Sequence, residues 1–204
     1  MRIFSKIKEI QTENAPSLHY TPPLHHSPPH HTLALHHLAA TIYDPDRNVD
    51  SMMDLTRSLL PQYHNVLALD KDGNTAGHIA LSTPRKLYQP EYPTLWWIIT
   101  WLGNGNDGIT CPNDKGETIL HYAARNGYKS VVAELLRRGA DPNAKNNAGR
   151  SVIQMCDGAL NSANARVAIA QMTAPADYTL EWEARAAESA RIADCAQLLR
   201  YHLG

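Results

Sequence analysis

The sequence lacks an excess of either charge. Its 19 lysines and arginines stand against 20 aspartates and glutamates, a net of -1. A duplex nucleic-acid binder usually carries a basic excess, and none exists here. There is no acidic tail and no long charge run. Cysteine is scarce: Cys111, Cys156 and Cys195 lie about 40 residues apart with no Cys-x-x-Cys pair. That spacing suits reduced, buried thiols better than a disulfide framework or a zinc site. Long apolar runs are missing too. The longest, Leu95 to Leu102, is far too short to span a bilayer. The N-terminus, MRIFSKIKEIQTEN, has no unbroken apolar segment of the secretory kind. A cytoplasmic or otherwise intracellular setting is expected, with export as an effector left open. No glycine-rich phosphate loop, paired-carboxylate motif, zinc spacing or nucleophile elbow occurs. The expectation is therefore no catalytic residue, no metal and no cofactor.

What the chain does contain is apolar residue, 43% of 204 residues, enough for one compact domain or one short repeat array. The best-formed unit runs from Lys115 to Asn143, KGETILHYAARNGYKSVVAELLRRGADPN. Thr118 can cap a helix by offering its oxygen to free backbone N–H groups. Leu120, Ala123 and Ala124 give a narrow apolar face that permits close packing. Gly127 can end that helix in a left-handed turn. Val131, Val132, Leu135 and Leu136 recur at helical spacing as a second buried stripe. Gly139 closes the second helix, and Asp141 to Ala148 is polar turn material. Neither helix can bury its face alone, so neighbouring copies are required.

This unit closely resembles the ankyrin repeat, with Gly116, Thr118, Leu120, His121, Ala123, Ala124, Gly127, Gly139, Ala140 and Asp141 in positions that family favours. Ile119 departs, standing where proline is usual. Gly149 lies 33 residues after Gly116, the period of that family, and opens GRSVIQMC. Upstream, DGNTAGHIAL (Asp72 to Leu81) matches KGETILHYAA, with His78 standing for His121 and Thr94 to Leu102 as its second helix. His78 and His121 are 43 residues apart, so this repeat carries an insertion of about ten, assigned to Ser82 to Pro93. Further upstream, LHHLAA (Leu35 to Ala40) places His37 in the histidine position, with Asp50 to Leu60 as second helix and Asp44 to Asn48 as a lengthened loop.

The ends are less regular. Asn164 to Met172 reads as a short helix. Thr179 to Leu203 reads as one long helix whose Cys195 to Arg200 resembles Val132 to Arg137. It is either the second helix of a degenerate final repeat or a capping helix. At the N-terminus, Ile3, Phe4, Ile7 and Ile10 share one helical face. It can cap the first repeat, touch a membrane or contact a partner. Asn14 to His31, with five prolines and five histidines, reads as an extended linker. The resemblance thus implies an all-α ankyrin solenoid of about four helix pairs with a long C-terminal capping helix. The division is 1–31 for the N-terminal segment and linker, 32–172 for the repeats, and 173–204 for the final repeat or cap.

Histidine titrates near neutrality, so His37, His78 and His121 invite a catalytic reading. The resemblance implies instead a structural role, bonding backbone between adjacent repeats. His19, His25, His26, His30 and His31 could bind a transition metal loosely, but their irregular spacing offers no rigid site. By alignment Trp97 and Trp101 replace Val131 and Leu135 and belong in the core, while Trp96 reaches the surface. The resemblance further implies a concave wall and hairpin fingertips that bind a protein partner of unknown identity. The wall residues carried over are Leu38, Thr41, Ile79, Ser82, Tyr122 and Arg125. The fingertip residues are Lys71, Asp72, Asn113, Asp114, Lys115, Lys145 and Asn146. Tyr88 and Tyr92 in the insertion either pack on Trp96 or join the partner surface. No nucleic acid, no membrane and a monomeric chain complete the expectation. An adaptor, scaffold or inhibitor follows, a host-directed effector being one version. A docking subunit of an enzyme complex and a self-assembling array are the alternatives.

Overall fold

A computed structural model of the chain describes residues 32–40, 54, 58, 67–82, 92–102, 107–173 and 179–204. The amphipathic N-terminal face, the Pro/His segment, the Asp44 to Asn48 loop and most of the 50–60 and 82–93 segments lie outside them. The described residues are all-α. They form α1 (Thr32–Ala40), α2 (Ala76–Ser82), α3 (Tyr92–Leu102), α4 (Asp107–Thr110), α5 (Ile119–Arg125), α6 (Lys129–Arg137), α7 (Val152–Thr173) and α8 (Thr179–Leu203). No strand occurs among them, only an isolated antiparallel bridge between Lys145 and Ser151. None of these helices is long and apolar enough to cross a membrane.

The helices stack in two rows. Helices α1, α2, α5 and α7 pack successively as first helices, and α3, α6 and α8 as second helices behind them. The expected apolar stripes make the core: Leu120, Ala123, Ala124, Val131, Val132 and Leu135 are all buried. Leu136 is only half-buried, because it lies at the edge of that stripe. Trp97 and Trp101 are core, stacked nearly parallel with ring centroids 6.0 Å apart. Trp96 is half-buried.

Trp101 occupies the volume that a leucine fills in the third repeat, and the room comes from two glycines. A Cβ on Gly77 would lie 2.5 Å from the Trp101 ring, and one on Gly108 2.9 Å from it. Helix propensity alone predicts that Gly77→Ala stabilises α2 by about 1 kcal/mol. Overpacking reverses the sign, and a loss of about 1–3 kcal/mol is expected in urea denaturation. In a Trp101→Leu background the same change should stabilise, since the methyl then fills the space the indole leaves. A gain in both backgrounds would show that Trp101 is not seated on Gly77.

The fourth repeat departs from the others. Its first helix runs 22 residues where α5 has seven, and its second runs 25 where α6 has nine. Asn164 to Met172 is therefore no separate short helix but the outer part of α7. Residues 174–178, where a break is expected, lie outside the described residues. Ile192, Cys195, Ala196 and Leu199 are buried as Tyr128, Val131, Val132 and Leu135 are. Cys195 thus stands where Val131 does, one place from the alignment with Val132. The insertion between the paired helices is itself a helical hairpin that projects from the stack. Ala163 and Ala170 lie buried along it, the Ser189 hydroxyl bonds the Asn164 side chain, and Arg166 pairs with Glu188 at 2.6 Å. At the end of the stack Arg200 meets Asp157 at 2.5 Å, where the third repeat has Leu136 and Ala124.

Candidate functional site

Three consecutive hairpins are each organised by one short polar side chain. Asp70 Oδ1 accepts the N–H groups of Asp72 and Asn74 at 2.9 and 2.8 Å. Asn113 Oδ1 accepts those of Lys115 and Glu117, both at 3.0 Å. Asn146 Oδ1 accepts those of Ala148 and Arg150 at 3.1 and 3.0 Å. Asn and Asp favour such turns because they satisfy backbone donors two and four residues ahead. Burial disfavours the Asp70 charge, but bonds from the Asn74 amides and the Asp72 N–H outweigh it and hold the carboxyl below its usual range.

The fingers are also tied to one another. Asp114 N donates to Asp72 O at 3.3 Å, and Asn147 N to Lys115 O at 2.9 Å. The Asn147 side-chain amide adds a bond to Asp114 O at 2.9 Å. Beneath them, Asn113 Nδ2 donates to Asn74 Oδ1 at 2.9 Å and to the Tyr122 hydroxyl at 3.0 Å. In the next repeat Asn146 Nδ2 points at Met155 Sδ, 3.3 Å away. Met155 therefore occupies the Tyr122 position.

Buried histidines link adjacent repeats at two places. His78 Nδ1 accepts from Thr75 N at 3.2 Å, so Nε2 carries the proton and donates to Glu117 O at 2.9 Å. Complete burial of this neutral ring pushes its pKa down to about 4, against the opposing pull of the Glu117 carbonyl. His121 accepts from Thr118 N at 3.1 Å, and burial lowers its pKa in the same sense. In the first repeat the linking residue is His36, whose Nε2 meets Asn74 O at 2.9 Å. His37, assigned that role from sequence, is exposed. One residue of slip turns a helical side chain by about 100°, which moves the neighbouring assignments as well. Leu38, expected on the wall, is 1% exposed and belongs to the core. His37 and Ala40 take the wall positions of the first repeat instead.

Other expected wall and fingertip residues divide in two. Lys71, Asp72, Ser82, Asp114, Lys115 and Lys145 are exposed, and Ile79 is half-buried. Asn113 and Asn146 are each 7% exposed, because their side chains point back into the hairpins they organise. Tyr122 is 8% exposed rather than outward-facing. It is held by the Asn113 bond and by an edge-on contact with the His78 ring at 5.4 Å. Arg125 lies over the Tyr122 ring at 4.5 Å and reaches Glu117 at 3.3 Å, with a third of its side chain open to solvent. Thr41 and Tyr88 lie outside the described residues. Tyr92 is the first residue of α3, and its side chain lies outside them too. Sequence reading missed Glu117, a carboxylate 4% exposed on the wall, although its place four residues before the buried His121 marked it.

All three cysteines are free thiols. Burial raises Cys111, and with the Asp157 charge it pushes Cys156 up to about 12, so the Cys156 thiolate is unpopulated at neutral pH.

The model of the ankyrin repeat family matches residues 115–147. Regulatory protein SWI6 of Kluyveromyces lactis is 46% identical over 55 residues, 27% of this chain and 6% of that protein. Oxysterol-binding protein-related protein 1 of Homo sapiens and that of Mus musculus are each 39% identical over 51 residues, 25% of this chain and 5% of theirs. The likeness thus spans a small fraction of these relatives' length. The matched segment is the hairpin and helix pair at the centre of the described stack, and the chain carries an ankyrin repeat there.

Proposed function

We propose that this chain is an adaptor or inhibitor that acts by occupying a protein partner on its concave wall and exposed fingertips. Ankyrin repeats serve as protein–protein interaction modules, and the chain carries such a module. The observation that supports the finer reading is the bracing of the fingers. Each is ordered by a buried or half-buried Asx side chain and bonded to the next, so exposed Lys71, Asp72, Ser82, Asp114, Lys115 and Lys145 stand on a preorganised frame. Fixed side chains lose little conformational entropy on binding. Against a self-assembling array stands the Asp157–Arg200 pair at the end of the stack, a polar surface where internal repeats present alanine and leucine. The monomeric chain is the corresponding proposal.

Ala40→Arg with Ser82→Arg is the test. Both residues are exposed on the wall of the first two repeats, and surface changes usually stay within about 0.5 kcal/mol of stability. The double variant should keep the wild-type melting curve and lose at least about tenfold in affinity for the protein recovered by pull-down from native extract. Undiminished binding would place recognition elsewhere on the molecule.

A further inference from the structure

Most described basic side chains away from the fingers have carboxylate partners. Lys129 pairs with Asp194 at 3.1 Å, Arg137 and Arg138 with Glu134 at 2.7 and 2.6 Å, Arg166 with Glu188 at 2.6 Å and Arg200 with Asp157 at 2.5 Å. On the third and fourth fingers the situation is reversed. Lys115, Lys145 and Arg150 are exposed and make no ion pair among the described residues. The charge is graded along the row. The second finger sets Asp70 and Asp72 around Lys71, whereas from Pro142 to Cys156 there is no acidic residue at all.

A comparison of equivalent positions sharpens this. Arg150 stands where Glu117 does, since both N–H groups bond the organising Asn of their finger. Gly158 stands where Arg125 does, three residues beyond Met155 as Arg125 is three beyond Tyr122. In the third repeat these two places hold a carboxylate and a guanidinium 3.3 Å apart. In the fourth repeat the first is an exposed arginine and the second a glycine: beyond the backbone of its own helix, no atom lies within 4 Å of where a Gly158 Cβ would be. A carboxylate brought there from outside would complete the same pair with its charges exchanged.

Resting on the protein-binding reading, we infer that the third and fourth repeats seat an acidic segment of the partner. One of its carboxylates lies over Gly158 against Arg150, and others are met by Lys145 and Lys115. Asp72 on the second fingertip and Asp114 beside Lys115 on the third repel an extended polyanion, as does the net charge of -1. A peptide of mixed sequence meets the cations locally and is favoured over nucleic acid or an anionic lipid surface.

Fluorescence anisotropy of the full chain tests this with four probes: a short labelled Glu-Ala repeat peptide, its Lys-Ala counterpart, a short DNA duplex and phosphatidylserine vesicles. The Glu-Ala peptide should bind best, and binding should fall with added salt. Arg150→Glu should weaken it by about tenfold or more. Gly158→Glu should do the same by supplying the carboxylate from within, while Lys129→Gln should leave it unchanged. Neither Arg150 nor Gly158 is buried, so neither variant should melt below wild type, and Gly158→Glu should gain slightly from helix propensity. Equal binding of the Lys-Ala peptide, equal or tighter binding of duplex or vesicles, or indifference to both variants overturns the inference. If the natural partner is lost by Ala40→Arg with Ser82→Arg but retained by Arg150→Glu, the protein-binding reading stands and the acidic seat falls.

Discussion

Leu135→Asp is expected to abolish cooperative unfolding of the third and fourth repeats. Leu135 is fully buried on α6, which packs between α3 and α8. The substitution removes the leucine's apolar burial and leaves an unpaired carboxylate in its place, a combined loss of about 4 kcal/mol or more. Native domains hold only about 5–15 kcal/mol in total. Because stability in a repeat array passes through neighbouring interfaces, loss at α6 uncouples the repeats on both sides. Circular dichroism melts should show a broadened, low transition. Leu136→Asp, half-buried at the edge of the stripe, should melt cooperatively at a temperature between that variant and wild type. A Leu135→Asp protein that melts like wild type would mean the α6 face is assigned wrongly.

Acidification should destabilise the protein before most of its carboxylates are protonated. His78 titrates near 6.5 in an unfolded chain and at about 4 in the folded one. The unfolded chain therefore takes the proton first. Stability is complete above about pH 6.5 and is lost as the pH falls through the window down to about 4. A shift of that size corresponds to about 3 kcal/mol. His121, lowered in the same direction, adds to the loss. Urea midpoints measured between pH 7 and pH 5 should fall steadily, and His78→Gln should be less stable at pH 7 yet flatter across the window. A flat wild-type profile there would contradict the buried neutral ring.

Much of this was legible in the chain itself, and the failures have physical causes. The third repeat could be read directly, because its two helices show distinct apolar stripes between glycines. The identity of Trp97 and Trp101 as core followed from register. The first repeat slipped by one because His36 and His37 are adjacent, so a histidine pattern alone cannot choose between them. Only the bond to Asn74 O decides, and that contact spans 38 residues. Tyr122 was misplaced for another reason. Its position faces the wall in pattern, but its hydroxyl satisfies the Asn113 amide, and the ring folds beneath the finger to reach it. The accommodation of Trp101 by Gly77 and Gly108 is likewise a three-dimensional match between residues in different helices. In α8, alanines surround the buried positions so evenly that the helical period does not fix the face.

The lengthened helices of the fourth repeat also bear on the order in which the molecule assembles. In the third repeat, α5 and α6 are joined by a tight turn in which Tyr128 N bonds Ala123 O at 2.9 Å, so the pair can close within a few residues. In the fourth, the Cys156 thiol reaches the Ile192 carbonyl across a sequence separation of 36, and the same thiol reaches back to Ala124 O. Bringing those distant ends together costs chain entropy that the third repeat avoids. The third repeat is thus the natural nucleus, with α7 added to its face. The last element to lock is the C-terminal half of α8, zipped home along the projecting hairpin. The same arm that reaches away from the stack is, during folding, the track that guides its final helix back.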